Sequence, residues 1–167
     1  MGFFNLFKGR ESPAPVAFPA ELSAPARGTV VPMDRIPDVV FSSGVMGVCC
    51  GVDPADGKVY APADGVVSQL ADTLHAVGLS SGGMELLIHV GVDTVDMSGD
   101  GFQGAVKPGQ TVRKGELLLT MDLAKIAAAG HPAVVILAVT NTDDFAAVEP
   151  LASGEVQPGI GVLRVSK

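Results

Sequence analysis

The sequence predicts an all-β fold: a flattened antiparallel β-sandwich or barrel with a duplicated hairpin motif and a few short helical turns. Three observations predict it. Apolar residues come in short Val/Ile/Leu runs, and helix-period stretches are scarce. Glycine (21) and proline (12) punctuate those runs, as turn residues do between strands. Ala24-Pro25-Ala26-Arg27-Gly28-Thr29-Val30-Val31 is echoed by Ala61-Pro62-Ala63-Asp64-Gly65-Val66-Val67-Ser68. Each is a Pro-started turn feeding a β-rich run, the mark of an internal repeat. A chain of 167 residues fits one domain with a sizeable core.

In chain order, Met1–Arg10 is weakly amphipathic, with Phe3, Phe4, Leu6 and Phe7 ahead of Lys8 and Arg10. It reads equally as a disordered tail and as a peripheral contact with an anionic membrane surface. Ser12–Glu21 carries Pro13, Pro15 and Pro19 and is expected to be an extended linker. Residues 1–21 are thus tail and linker, and the domain runs over 22–167. Ile36–Phe41 is expected to include one helical turn.

Glu85–Val95 is the central strand and turn. Leu86, Ile88 and Val90 alternate with Leu87, His89 and Gly91, so one face is aliphatic and the other carries an imidazole. Further turn-strand units follow at 106–119 and 156–165. Asp122–Ala129 is the best helix, with Asp122 as N-cap and Gly130 past its end. Asp143–Val148 is expected to make another short turn.

Composition narrows the function. Net charge is −7 and the basic residues are dispersed, which excludes nucleic acid as partner and favours basic protein surfaces. The only cysteines, Cys49 and Cys50, are adjacent. They form neither a disulfide framework nor a metal-ligand spacing, and read as small buried hydrophobes in a reducing compartment. The longest apolar run, Ala133–Val139, is far short of the ~20 residues of a membrane span. No signal peptide is evident at the N-terminus. The expected location is cytoplasmic.

The candidate chemistry lies in histidines. His131 reads as a loop residue without polar neighbours. His89 sits in an apolar strand, where an imidazole is costly unless exposed or bonded. Neutral imidazole is a nitrogen nucleophile, and the group held by one ring nitrogen decides which other one attacks. A second imidazole, His75, can donate a hydrogen bond to a phosphoryl oxygen. Thr73, expected on the same strand face as His75, can orient it. Backbone N–H groups from Gly91 onward can approach a phosphate. Reversible phosphorylation on histidine suits this set.

Two alternatives stay open on the residues alone. His75, His89 and Asp93 can supply three zinc ligands, or the two histidines can take zinc with a partner's carboxylate, although HExxH and CxxC are absent. Ala61–Val67 and Val106–Gly115 look like pieces of biotinyl and lipoyl carriers, but no lysine stands at a hairpin tip in the required context.

Pro37-Asp38-Val39-Val40-Phe41, Ala61–Gly65, Thr73-Leu74-His75-Ala76, Glu85–Val95 and Gly99-Asp100-Gly101-Phe102 resemble, in order, the glucose-family IIA component of the bacterial phosphoenolpyruvate-dependent sugar phosphotransferase system. The resemblance implies a flattened antiparallel β-sandwich with a shallow concave active face. It implies that His89 accepts phosphate from the phosphocarrier HPr and passes it to a cysteine on the IIB domain of a membrane sugar permease. His75 would support the phosphoryl group, Thr73 would hold His75, and Asp38 and Asp93 would ring the site. No cofactor is implied.

Regulatory partners occur for some free-standing forms, which this chain resembles in ending soon after its last strand. Family aromatic positions around the histidines read here as Ala71, Val77, Leu87 and Val90. A family lysine reads as Gln69, and Val48-Cys49-Cys50-Gly51 stands where a G-D-G pattern is common. The expected docking surface is Val39, Val40, Phe41, Val45, Met46, Leu87 and Val90, with Asp38 and Asp93 on its rim and Phe41 and Leu87 as anchors.

Overall fold

The computed structural model describes residues 15–167. The amphipathic stretch Met1–Arg10 lies outside the described residues. The strands are β1 (Ala20–Ser23), β2 (Gly28–Val31), β3 (Val48–Pro54), β4 (Lys58–Tyr60), β5 (Gly65–Leu70), β6 (Ala76–Ser81), β7 (Met84–Val90), β8 (Phe102–Gly104), β9 (Thr111–Val112), β10 (Leu117–Met121), β11 (Val135–Val139), β12 (Ala147–Pro150), β13 (Glu155–Val156) and β14 (Gly161–Ser166). All their pairings are antiparallel. One large sheet has the order β13-β2-β3-β11-β7-β6-β5-β9, and two three-stranded sheets run β1-β14-β12 and β4-β10-β8.

The three sheets share one core. Leu22 and Leu163 from one small sheet and Val59, Leu118 and Leu119 from the other are fully buried with Leu79, Ile88 and Leu137 of the large sheet. In β7, Met84, Leu86, Ile88 and Val90 are buried, while the residues between them are exposed or half-buried. That is the alternation the sequence carries, produced by a strand with one face on the core. β11 is buried at every position. Its second face is covered by Ile36, Phe41, Cys49, Val92 and Val134, which pack with Ile136 and Ala138 as a smaller cluster outside the main core.

The repeated turn has a structural counterpart. Gly28 of β2 pairs with Val156 at one end of the large sheet, and Gly65 of β5 pairs with Val112 at the other. Both strands lack room for a side chain there. A Cβ on Gly28 would lie 1.9 Å from the Asp53 carbonyl oxygen, and one on Gly65 would lie 2.4 Å from that of Ser80. Glycine therefore recurs in both copies because a neighbouring strand's backbone passes too close for a Cβ.

The helix after β10 is as expected. Short helix α1 (Val39–Ser42) precedes it in the chain, and α2 (Leu123–Ala128) begins after an Asp122 carboxylate that accepts from the Lys125 N–H. Gly130 follows with φ +80°, as a C-terminal stop requires. The single turn expected within Ile36–Phe41 is α1, shifted one residue past Phe41, and a separate 3₁₀ turn at Met33–Arg35 precedes it. Asp38 caps α1, its carboxylate accepting from the Val40 N–H at 3.0 Å. The turn expected over Asp143–Val148 ends at Asp144, and Ala147 already belongs to β12.

The linker reading of Ser12–Glu21 is corrected in its described part. Ala20 and Glu21 pair with Val165 and Arg164 of β14. Val16 and Phe18 pack against the core. The Phe18 ring stacks on Phe145 at 5.7 Å, with the Lys167 ammonium 4.8 Å above it. Proline spacing suggested an extended chain, and extended it is. A free β14 edge and an apolar seat for Phe18 turn that extension into a strand.

Candidate functional site

His89 is the penultimate residue of β7. It faces Ala76 of β6 on one side and Ile136 of β11 on the other, on the sheet face opposite the main core. His75 comes immediately before β6. The Val90 N–H donates to the His75 carbonyl at 2.7 Å, so the backbone beside each histidine is tied to the other. The rings meet edge-on, with centroids 5.3 Å apart and planes at 82°. Phe41, at the heart of α1, leans on the far side of His89, with ring centroids 5.0 Å apart.

Thr73 and His75 do not lie on a strand. They occupy a tight turn between β5 and β6, in which the Leu74 N–H donates to the Ala71 carbonyl at 2.8 Å and Leu74 takes φ +60°. The turn nonetheless brings Thr73 Oγ1 to 2.5 Å from His75 Nδ1. With the hydroxyl donating to Nδ1, the His75 proton sits on Nε2 and is free to donate outward.

The His89 ring is half-buried, and its Nδ1 is wholly enclosed without a hydrogen bond of good geometry. Nε2 is therefore the nitrogen left facing out. Burial holds the His89 pKa below its ordinary value, and neighbouring His75 pushes the same way. The Gly91 backbone carbonyl, Asp38 and Asp93 oppose that shift. Burial also lowers the pKa of His75. Both imidazoles are consequently neutral near pH 7, which leaves His89 with a lone pair to attack and His75 with an N–H to donate.

Gly91 has φ +75°. A Cβ there would sit 2.4 Å from Thr94 Cγ2 and 2.9 Å from the Pro132 carbonyl oxygen. The expected use of Gly91 as a phosphate donor is corrected. Its N–H donates to the Val134 carbonyl at 2.7 Å, and that of Val92 to the Pro132 carbonyl at 3.1 Å. The glycine is needed for the bend, and its amide is spent holding the turn against the segment before β11.

The expected docking residues divide. Val39, Val40 and Val45 are 74%, 46% and 78% exposed, and Met46 and Leu87 are half-buried. Phe41 and Val90 are buried and are not surface anchors. Phe41 lies beneath the surface against His89, and Val90 faces the main core because it shares the parity of Ile88 rather than of His89. Val95, two residues after Asp93, is a further half-exposed apolar residue outside the expected set. Its only sequence signal is an apolar residue flanked by polar ones in a turn.

Other expectations resolve similarly. Among the described residues no three His, Cys, Asp or Glu side chains cluster as a metal site, so His75, His89 and Asp93 do not form the three-ligand set. His131 has a polar neighbour after all, since its Nε2 lies 4.0 Å from Asp96 Oδ2. Cys49 and Cys50 are buried, and burial pushes their thiols up to about 11 and about 12, which makes them unreactive. The Cys49 thiol donates to the Phe41 carbonyl at 3.5 Å. No helix among the described residues is long and apolar enough to cross a membrane.

Fold and site together define an all-β domain with a paired-histidine site on the open face of its large sheet. The chain matches the family "phosphoenolpyruvate-dependent sugar phosphotransferase system, EIIA 1" over residues 20–145, and it belongs to that family. It is 41% identical over 137 residues to a glucose-specific EIIA component of Halalkalibacterium halodurans, covering 81% of this chain and 79% of that protein. It is 46% identical over 136 residues to a beta-glucoside-specific EIIBCA component of Dickeya chrysanthemi, covering 81% of this chain but 22% of that longer protein. The chain thus spans about a fifth of the length of such multi-part relatives. The glucose permease IIA of Mycoplasma capricolum superposes with a TM-score of 0.78 at 30% identity, over 87% of this chain and 94% of that one.

Proposed function

We propose that this protein is a cytoplasmic histidine phosphocarrier. It takes a phosphoryl group from phospho-HPr on His89 and hands it to a cysteine of a IIB domain in a sugar permease. The observation that carries the reading is the outward Nε2 of a neutral His89, with the His75 imidazole edge-on beside it. In the accepting step the Nε2 lone pair attacks phosphorus. The bond from phosphorus to the donor breaks, and its electron pair stays with the donor. The His89 proton remains on Nδ1, while His75 Nε2–H donates to a phosphoryl oxygen and stabilises its charge. In the second step a IIB thiolate attacks and His89 leaves as neutral imidazole. No cofactor is required.

Val39, Val40, Val45 and half-buried Leu87 form the apolar contact on this reading, with Asp38 and Asp93 as an acidic rim for basic partners. The longer EIIBCA and EIICBA relatives, in which a matching segment is joined to a IIB part, support a IIB partner. The test is incubation with phosphoenolpyruvate, enzyme I and HPr, followed by mapping of acid-labile phosphate. His89→Gln should abolish uptake and keep the fold. Normal uptake by that variant would refute the acceptor assignment.

A further inference from the structure

The motif Gly99-Asp100-Gly101-Phe102 supplies no reacting group, but it lies against the turn that carries His75. A Cβ on Gly99 would lie 3.9 Å from Thr73 Cα and from the Thr73 carbonyl oxygen. Farther along the same segment, a Cβ on Gly104 of β8 would lie 3.5 Å from Leu74 Cδ2 and 3.8 Å from Leu70 Cδ2. The Leu74 side chain is half-buried and packs against the main core. It therefore reaches from the β5–β6 turn of the large sheet to β8, an outer strand of a small sheet.

The turn needs that anchor. Leu74 takes φ +60°, a left-handed conformation that glycine adopts freely and asparagine tolerates, and that crowds the Cβ of other residues against the backbone. After a tight turn between strands it is a position where glycine is usual. A bulky apolar residue persists there only where its surroundings hold it. Leu74 stands between Thr73 and His75, so its backbone angles set the direction of one side chain relative to the other. In this conformation Thr73 Oγ1 is 2.5 Å from His75 Nδ1. The flanking backbone is already tied down. The Ala71 N–H donates to the Ala76 carbonyl at 3.0 Å, and the Val90 N–H donates to the His75 carbonyl at 2.7 Å. Leu74 is the link between these fixed ends.

We propose that Leu74 is a positioning residue of the phosphoryl site: its side chain, seated against Leu70 and Gly104, holds the strained turn that delivers the Thr73 hydroxyl to His75 Nδ1 and so keeps the donating proton on His75 Nε2. The proposal deepens the relay reading and rests on it for what His75 donates to. Leu74 acts through Thr73.

The test compares Leu74→Ala, Leu74→Val and Leu74→Asn in the full chain. Nitrogen-15 NMR of the His75 ring reports its tautomer, and transfer from the phosphorylated chain to a IIB domain reports the rate. Wild type should show the Nε2–H form. Leu74→Ala loses the seat and still disfavours the left-handed region. It should give a tautomer mixture, with onward transfer slowed roughly tenfold, as loss of alignment does. Leu74→Val keeps an apolar group, but its β-branch disfavours positive φ further. It should be at least as impaired, and it decides the question where the alanine variant does not fold. Leu74→Asn loses the seat but tolerates the left-handed region, and should stay close to wild type in both readouts. On a Thr73→Val background, Leu74→Ala should slow transfer no further, since residues acting through one bond are not additive. Wild-type tautomer and rate in the alanine or valine variant would overturn the proposal. So would an asparagine variant as impaired as the alanine one, or a full extra loss in the double variant. The tautomer is readable without any phosphate. A chain that takes up no phosphate yet shows this tautomer pattern would therefore sink the relay reading alone, whereas normal relay with a tautomer indifferent to Leu74 would sink the positioning role alone.

Discussion

Replacing Phe41 by alanine should both destabilise the domain and retune His89. Phe41 is 3% exposed and belongs to the small cluster with Ile36, Cys49, Val92 and Val134. Truncating a buried Phe to Ala costs about 3–5 kcal/mol. The lower end applies, because α1 is a single turn at the rim of the fold and can settle into the gap. For a chain of this size, roughly 3 kcal/mol corresponds to a fall in Tm of roughly 6–12 °C. The second consequence is electrostatic. Burial is the largest cause of the lowered His89 pKa, and the Phe41 ring is part of that cover at 5.0 Å. With the ring gone, water reaches the imidazole and its pKa rises toward 6.5. Thermal denaturation measures the first effect, and an NMR pH titration of His89 measures the second. A Tm within a degree of wild type would refute the packing argument. A normal Tm loss with an unmoved His89 midpoint would refute the claim that Phe41 dries the site.

His75→Gln should still accept phosphate but pass it on slower by roughly 10²-fold, since a transition-state donor is lost. It should also raise the His89 midpoint, because His75 is the second cause of its lowering. Acid should destabilise the fold. Both site histidines have folded pKa values below 6.5, so the unfolded chain binds more protons just under that pH. This part of the stability is whole above about pH 6.5 and is lost as pH falls toward the folded pKa values. Tm measured down to about pH 5.5 should decline, and His89→Gln should decline less. Leu87→Asp should weaken HPr binding more than tenfold, about 1.4 kcal/mol, through a desolvated charge. An aspartate at exposed Ile160 in the β13–β14 turn should not, and amide shift mapping would show whether Leu87 lies in the footprint.

The readings that survived are local ones. The period-2 pattern of β7 placed Leu86, Ile88 and Val90 on one face and His89 on the other. Applied consistently, the same parity also argues against Val90 as a surface residue. Asp122 and Gly130 bounded α2 because a cap and a stop act within one turn of the chain. The AP-x-x-G echo marked two strands, β2 and β5, that lie next to the edge strands at opposite ends of one sheet. The motif residues around His75 and His89 were sufficient to place the chain in its family.

What the chain alone determined, then, is which residues alternate, cap and turn, because those preferences depend on near neighbours. Tertiary structure decided which distant segments meet. It put Phe41 under His89 rather than at the surface, and it sent the Gly91 amide to Val134 rather than to a phosphate. It packed Phe18 on Phe145 where proline spacing suggested only a linker. It also enclosed Thr94 beneath the turn and set His131 beside Asp96. Each of these follows from strand register and from which backbone groups remain unpaired once the sheets are assembled. Neither is a property of any single stretch, since a buried amide or ring takes whatever partner the completed fold brings within reach.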